Sequence, residues 1–172
     1  MKIGANGKWV AMIAALTGVS VMALVLPGHK VVHTEIVIPA SPAEVWSVLT
    51  DAPRYEEWNP VLVRVEGAYR EGAELTNQVR EPSGKESVMT STVVKMTDER
   101  ELNQFGGIRG LLTFDHQWLL EPVDGGTRVI QHEEYRGLGV WFWDASWVEP
   151  AYSKANEALR DRVAQLKEHR QP

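Results

Sequence analysis

Six short runs of alternating apolar and polar residues follow one another between residues 61 and 137, and one long amphipathic pattern comes after them. The runs are "VLVRVEG" (61–67), "AELTNQVRE" (73–81), "ESVMTSTVVKM" (86–96), "ELNQFGG" (101–107), "LLTFDHQWLLEP" (111–122) and "TRVIQHEEYRG" (127–137). Between them lie "YREG", "PSGK", "TDER", "GIRG" and "VDGG". Alternation of period two, bounded by Gly, Pro, Asp and Ser, predicts strands joined by turns. An antiparallel meander of this kind keeps one face in water and must cover the other. The closing segment, about 146 to 169, sets Ala151, Ala155, Leu159, Val163 and Leu166 opposite Glu149, Lys154, Glu157, Asp161 and Glu168. That spacing is helical, and this helix is the only element large enough to cover the sheet. The expected class is therefore α+β, with a sheet curved around one long helix and a cavity between the two.

The preceding stretch supplies a strand and a wedge. "VVHTEIVI" (31–38) is rich in β-branched residues and predicts the first strand. In "PASPAEVWSVLT", Ser41 suits an N-cap, Pro42 the first helical position and Glu44 the return arm of a capping box. Val45, Trp46 and Leu49 then fall at helical spacing. Asp51 is expected to cap a second short helix that ends at Trp58, because Pro60 pushes Asn59 out of helical geometry.

Residues 9–26, "WVAMIAALTGVSVMALVL", carry no charge. As a helix they would be roughly 27 Å long, close to the hydrocarbon thickness of a bilayer. Lys2 and Lys8 precede them and "PGHK" follows, which favours a body outside the cytoplasm. The preferred reading is an uncleaved anchor over residues 1–30, with a ligand-binding domain over 31–172. A cleaved signal peptide is the alternative, with Val21 and Ala23 as its small-x-small pair and a secreted body. A buried soluble helix is disfavoured because the run has no polar face. The net charge of -5 argues against a nucleic-acid partner. The chain has no cysteine, so disulfides, thiolate nucleophiles and Cys-based metal sites are excluded.

"IPASPAEVWSVLTDAPRYEEWNP", "GGTRVIQHEEYRG" and "KANEALRDRVAQL" together resemble the polyketide cyclase/dehydrase-like branch of the START–Bet v 1 (SRPBCC) superfamily, over about residues 31–169. The resemblance implies a helix-grip fold: a curved, antiparallel seven-stranded sheet around a long C-terminal helix, with two short helices after strand 1. It also implies a hydrophobic ligand cavity. The superfamily includes lipid carriers, hormone receptors and aromatase/cyclases. In this fold Trp58 would close the wedge near the cavity, as packing first and as a ligand contact second.

The last hairpin allows a sharper expectation. A two-residue loop at Asp124-Gly125 pairs Val123 with Gly126, Leu120 with Val129, Trp118 with Gln131, His116 with Glu133 and Phe114 with Tyr135. Side chains alternate across a sheet, so these share one face. Thr113, Asp115, Gln117, Glu121, Arg128, His132, Glu134 and Arg136 take the other. The first set is largely aromatic and apolar, so it faces the cavity. His116 and Glu133 then meet among aromatics. They are either a self-satisfied polar pair, a contact for a ligand hydroxyl or carbonyl, or an acid/base pair. His116 and His132 point to opposite faces and cannot share a metal. No metal site and no cofactor is expected. Trp141, Phe142, Trp143 and Trp147 crowd before the long helix, part as core and part as a rim, a residue type that favours a membrane–water interface. Tyr152 and Asn156 reach from the helix, Asn156 alternatively into solvent.

The expected function is a membrane-tethered binding protein for a small hydrophobic or amphipathic ligand, lipid-like or isoprenoid-like. Trp58, Phe114, His116, Trp118, Glu133, Tyr135 and Tyr152 are the expected contacts. The competing functions are a cyclase or dehydratase using His116 with Glu133, and an accessory subunit of a membrane complex whose cavity is filled.

Overall fold

The computed structural model describes residues 27–169. Strand β1 (Gly28–Ile38) leads to helix α1 (Pro42–Leu49) and a 3-10 helix (Ala52–Glu57). Six strands follow: β2 (Leu62–Glu66), β3 (Glu74–Arg80), β4 (Glu86–Thr97), β5 (Glu101–Ile108), β6 (Leu112–Val123) and β7 (Gly126–Gly137). A short 3-10 turn (Leu138–Trp141) then enters helix α2 (Val148–Glu168). The strands form one antiparallel sheet in the order β1-β7-β6-β5-β4-β3-β2. This is the α+β helix-grip fold.

The wedge follows its sequence in one half and departs from it in the other. Ser41 caps α1: its hydroxyl accepts from the Glu44 N–H while the Glu44 carboxylate accepts from the Ser41 N–H at 2.7 Å. The segment after it is a 3-10 helix, and Asp51 makes no side-chain cap. Six residues with a proline at the second position are too few to nucleate an α-helix, and i→i+3 bonds serve instead. Asp51 pairs with Arg54 at 3.3 Å. Asn59 then turns the chain, its side-chain oxygen accepting from the N–H groups of Val61 and Leu62, both at 2.9 Å. β1 also begins three residues earlier than its β-branched run, because Gly28 already pairs with Gly137.

The interior divides lengthwise. Around α1 and the second half of α2 it is filled by Val45, Leu49, Tyr55, Leu102, Trp118, Leu120, Val129 and Leu159. Around the first half of α2 the packing is looser and a cavity remains. Register shifts between Leu62 and Arg64 and between Val93 and Lys95 interrupt the β2 and β4 ladders; such irregularities bend a sheet. Among the described residues no helix is long and apolar enough to cross a membrane. The uncharged run 9–26 lies outside the described residues.

Candidate functional site

The β6–β7 hairpin pairs as the sequence predicts, from Val123 with Gly126 to Phe114 with Tyr135. Phe114, His116, Trp118, Glu133 and Tyr135 therefore project from the concave face and line a cavity of about 220 Å³. Trp143, Trp147, Tyr152 and Ala155 close it from the α2 side, and Leu62, Asn77, Met89 and Gln104 line its far wall. Gln117, His132 and Glu134 sit on the convex face, where His132 meets His33 edge-on at 5.9 Å. Phe114 owes its place to a glycine across the ladder. A Cβ at Gly106 would lie 2.5 Å from Phe114 Cζ and 2.4 Å from the Thr90 carbonyl oxygen, so any side chain there would displace the ring.

The expected His116–Glu133 pair faces across the ladder but does not bond. Glu133 is taken by two phenols, since the Tyr135 and Tyr152 hydroxyls both donate to its Oε2. Burial, then the neighbouring Glu133 carboxylate, push both phenols well above the ordinary tyrosine range. His116 instead reaches diagonally to Gln131, with its Nε2 3.2 Å from Gln131 Oε1. Diagonal cross-strand neighbours lie within reach of long side chains. Gln131 Nε2 donates to Asn156 Oδ1 at 2.6 Å and to the Tyr152 carbonyl at 3.3 Å, and Asn156 Nδ2 donates to Thr34 Oγ1 at 3.1 Å. Because a backbone carbonyl only accepts, the Gln131 amide is fixed with its oxygen toward His116. His116 thus donates through Nε2, and in the neutral ring Nδ1 keeps its lone pair. Asn156, one of the two α2 positions read for polar contact, is buried in this chain of bonds and not solvated.

A second polar line crosses the far wall. Asn77 Nδ2 donates to Ser91 Oγ at 2.8 Å, and Ser91 donates to Gln104 Oε1 at 3.1 Å. Asn77 Oδ1 and the Trp118 indole nitrogen are buried without a partner among the described residues. Six of the seven expected contact residues meet at the cavity. Trp58 does not. It packs at a tilt against Tyr55, ring centres 4.9 Å apart, and borders a polar outer cleft with Glu56, Arg64 and Arg80. Its place at the end of the 3-10 helix turns it into the wedge and away from the concave face. The residues that sequence reasoning left out are Asn77, Ser91 and Gln104; Gln131 was placed on the cavity face opposite Trp118 but given no contact role. Their signal was a polar residue recurring on an otherwise apolar strand face. Among the described residues there is no cluster of three or more metal-ligating side chains.

A family model for polyketide cyclase/dehydrase and lipid transport matches residues 29–164. A search of curated proteins finds no match. Among solved structures, protein MLL2253 from Mesorhizobium loti is 17% identical over 79% of this chain and 98% of its own, with a TM-score of 0.63. A protein from Rhodobacter sphaeroides is 17% identical over 81% and 99%, with a TM-score of 0.66. Ara h 8.0201 is 16% identical over 80% and 99%, with a TM-score of 0.63. At such identities the likeness is one of fold. The family model spans β1 through most of α2, and the curved sheet, the gripped helix and the cavity accord with it: the chain belongs to the polyketide cyclase/dehydrase and lipid transport family.

Proposed function

We propose that the protein binds a compact hydrophobic or amphipathic molecule between sheet and helix while held at a membrane by residues 9–26. The observation that carries this reading is the cavity itself: about 220 Å³, walled by Phe114, Trp118, Tyr135, Trp143, Trp147 and Tyr152 with few polar groups between them. Ligand sites are concave, mostly apolar and sparingly polar. The volume is below the roughly 300–1,000 Å³ of drug-sized sites, which favours a small ring system or one end of a longer molecule over an entire lipid. An open cavity weighs against the filled accessory subunit. The separate engagement of His116 by Gln131 and of Glu133 by two phenols weighs against an acid/base pair.

Native mass spectrometry of the full chain, extracted gently from membranes, tests the reading. Wild-type protein should carry a small bound mass. Ala155→Phe fills the cavity from α2 and should remove that mass while the protein still melts cooperatively. His116→Ala should cost at most one hydrogen bond, about 0.5–1.5 kcal/mol, and keep the ligand. An unchanged load in folded Ala155→Phe overturns the cavity assignment.

A further inference from the structure

The cavity contains a buried glutamate side chain that meets no cationic side chain among the described residues. Glu133 is 3% exposed, and among the described residues it makes no ion pair. Of the side chains lining the cavity, Glu81 and Glu133 are acidic, His116 is the single basic type, and none is Lys or Arg. A buried charge is costly unless paired, and removing its partner leaves most of that cost in place. Two phenolic donors meet one Glu133 oxygen, and its other oxygen has no hydrogen-bond partner among the described residues.

The neighbouring groups have the same polarity. In the neutral His116 ring Nδ1 is a lone-pair acceptor, since Nε2 is committed to Gln131. Asn77 Oδ1 and the Trp118 N–H, both without a partner among the described residues, are sealed within the wall. His116 Nδ1 and the second Glu133 oxygen thus leave acceptors, and no Lys or Arg donor, around the cavity. Its walls are aromatic on several sides: Tyr135 and Trp143 are edge-on at 4.6 Å, Trp143 and Trp147 at 6.5 Å, and Tyr152 lies 5.4 Å from His116. Ring faces carry negative potential and attract cations, and cages of aromatics select organic ammonium groups. A carboxylate or phosphate head would instead meet Glu133 with like charge and no guanidinium or ammonium to receive it.

Resting on the reading that this cavity binds a small ligand, we propose that it selects a protonated organic amine. The cationic nitrogen sits against Glu133 and its apolar body lies among Phe114, Trp118, Tyr135, Trp143 and Trp147. Three probes with one ring system separate the possibilities: 2-naphthylmethylamine, 2-naphthylmethanol and 2-naphthoic acid, titrated calorimetrically at neutral pH into the full chain in nonionic detergent, with empty micelles subtracted. The amine should bind about tenfold or more tightly than the alcohol, a gap of about 1.4 kcal/mol, and the acid most weakly. Glu133→Gln should erase the amine's lead and leave the alcohol within about threefold of wild type, near 0.6 kcal/mol. An alcohol equal to the amine, an acid at least as tight as either, or an amine preference that survives Glu133→Gln overturns the inference while ligand binding itself stands. If none of the three binds, the binding function falls with it. The wild-type ranking decides the matter even if Glu133→Gln does not melt cooperatively.

Discussion

Ser41 and Glu44 show how much a single reciprocal contact does at one helix end. The Ser41 N–H and hydroxyl both donate to the Glu44 carboxylate, at 2.7 and 2.9 Å, and hold its carboxyl below the ordinary glutamate range. A depressed carboxyl contributes stability that is present above its unfolded value and is lost as pH falls through the lower folded value. Ser41→Ala should therefore cost about 0.5–2 kcal/mol near neutral pH. The gap from wild type should shrink once the pH has dropped below the folded-state value, as followed by urea melts across pH. A gap that stays constant down to strong acid would show that the carboxylate is irrelevant to the cap. This contact was legible in the sequence because all its atoms lie within four residues. The hairpin side chains were legible for the same reason: a tight turn fixes the register, and register fixes faces. Gln131 was not. Its role depends on Asn156 and the Tyr152 carbonyl, which arrive from a helix whose rotation local spacing does not specify. The same remoteness hid the capture of Glu133 by Tyr152.

At the scale of elements, α2 is fastened to the sheet by two unlike means. Its lower half packs Leu159 and Val163 into the core shared with α1. Its upper half borders a cavity and depends on the bonds from Asn156 to Gln131 on β7 and Thr34 on β1. Asn156→Ala strands buried donors and acceptors on both strands, so about 1–3 kcal/mol should be lost. In a chain of this size that is roughly 2–4 °C of melting temperature per kcal/mol. A shift under 1 °C would mean that the apolar stripe alone seats the helix. The strands themselves were readable from alternation and turn residues. The 3-10 helix was not, since Asp51 and Pro53 open either helix type and only length separates them. The irregularities at Leu62/Arg64 and Val93/Lys95 also escaped notice, because an extra residue in a ladder leaves no mark on composition.

Across the whole molecule, one end gathers a group of exposed apolar side chains. Ile108 and Leu111 of the β5–β6 turn lie beside Leu138, Trp141 and Phe142 of the β7–α2 connection, all exposed, Trp141 at 61% and Phe142 at 80%. Gly137 makes the junction: its φ of +134° and a Cβ position 2.3 Å from the Leu111 carbonyl oxygen leave no room for a side chain. Gly28, where the chain continues back toward residues 9–26, pairs with Gly137 at this same end. On the proposed anchoring by residues 9–26, such an exposed apolar patch is suited to rest on lipid. In nanodiscs carrying brominated acyl chains, part of the tryptophan emission of a Trp9→Phe chain should be quenched, and adding Trp141→Leu should reduce that part. Equal quenching in both proteins would place the patch in water. Protease added to intact spheroplasts should digest the body, and full protection would put it on the cytoplasmic side. The closing of the sheet also has a consequence for synthesis. β1 is an edge strand whose neighbour is β7, with Gly28 against Gly137. At about 5–20 residues per second, the ribosome completes that partner roughly 5–20 s after β1 has been made. Through that interval β1 waits without its ladder, and no nascent chain ending short of β7 has a seat for it.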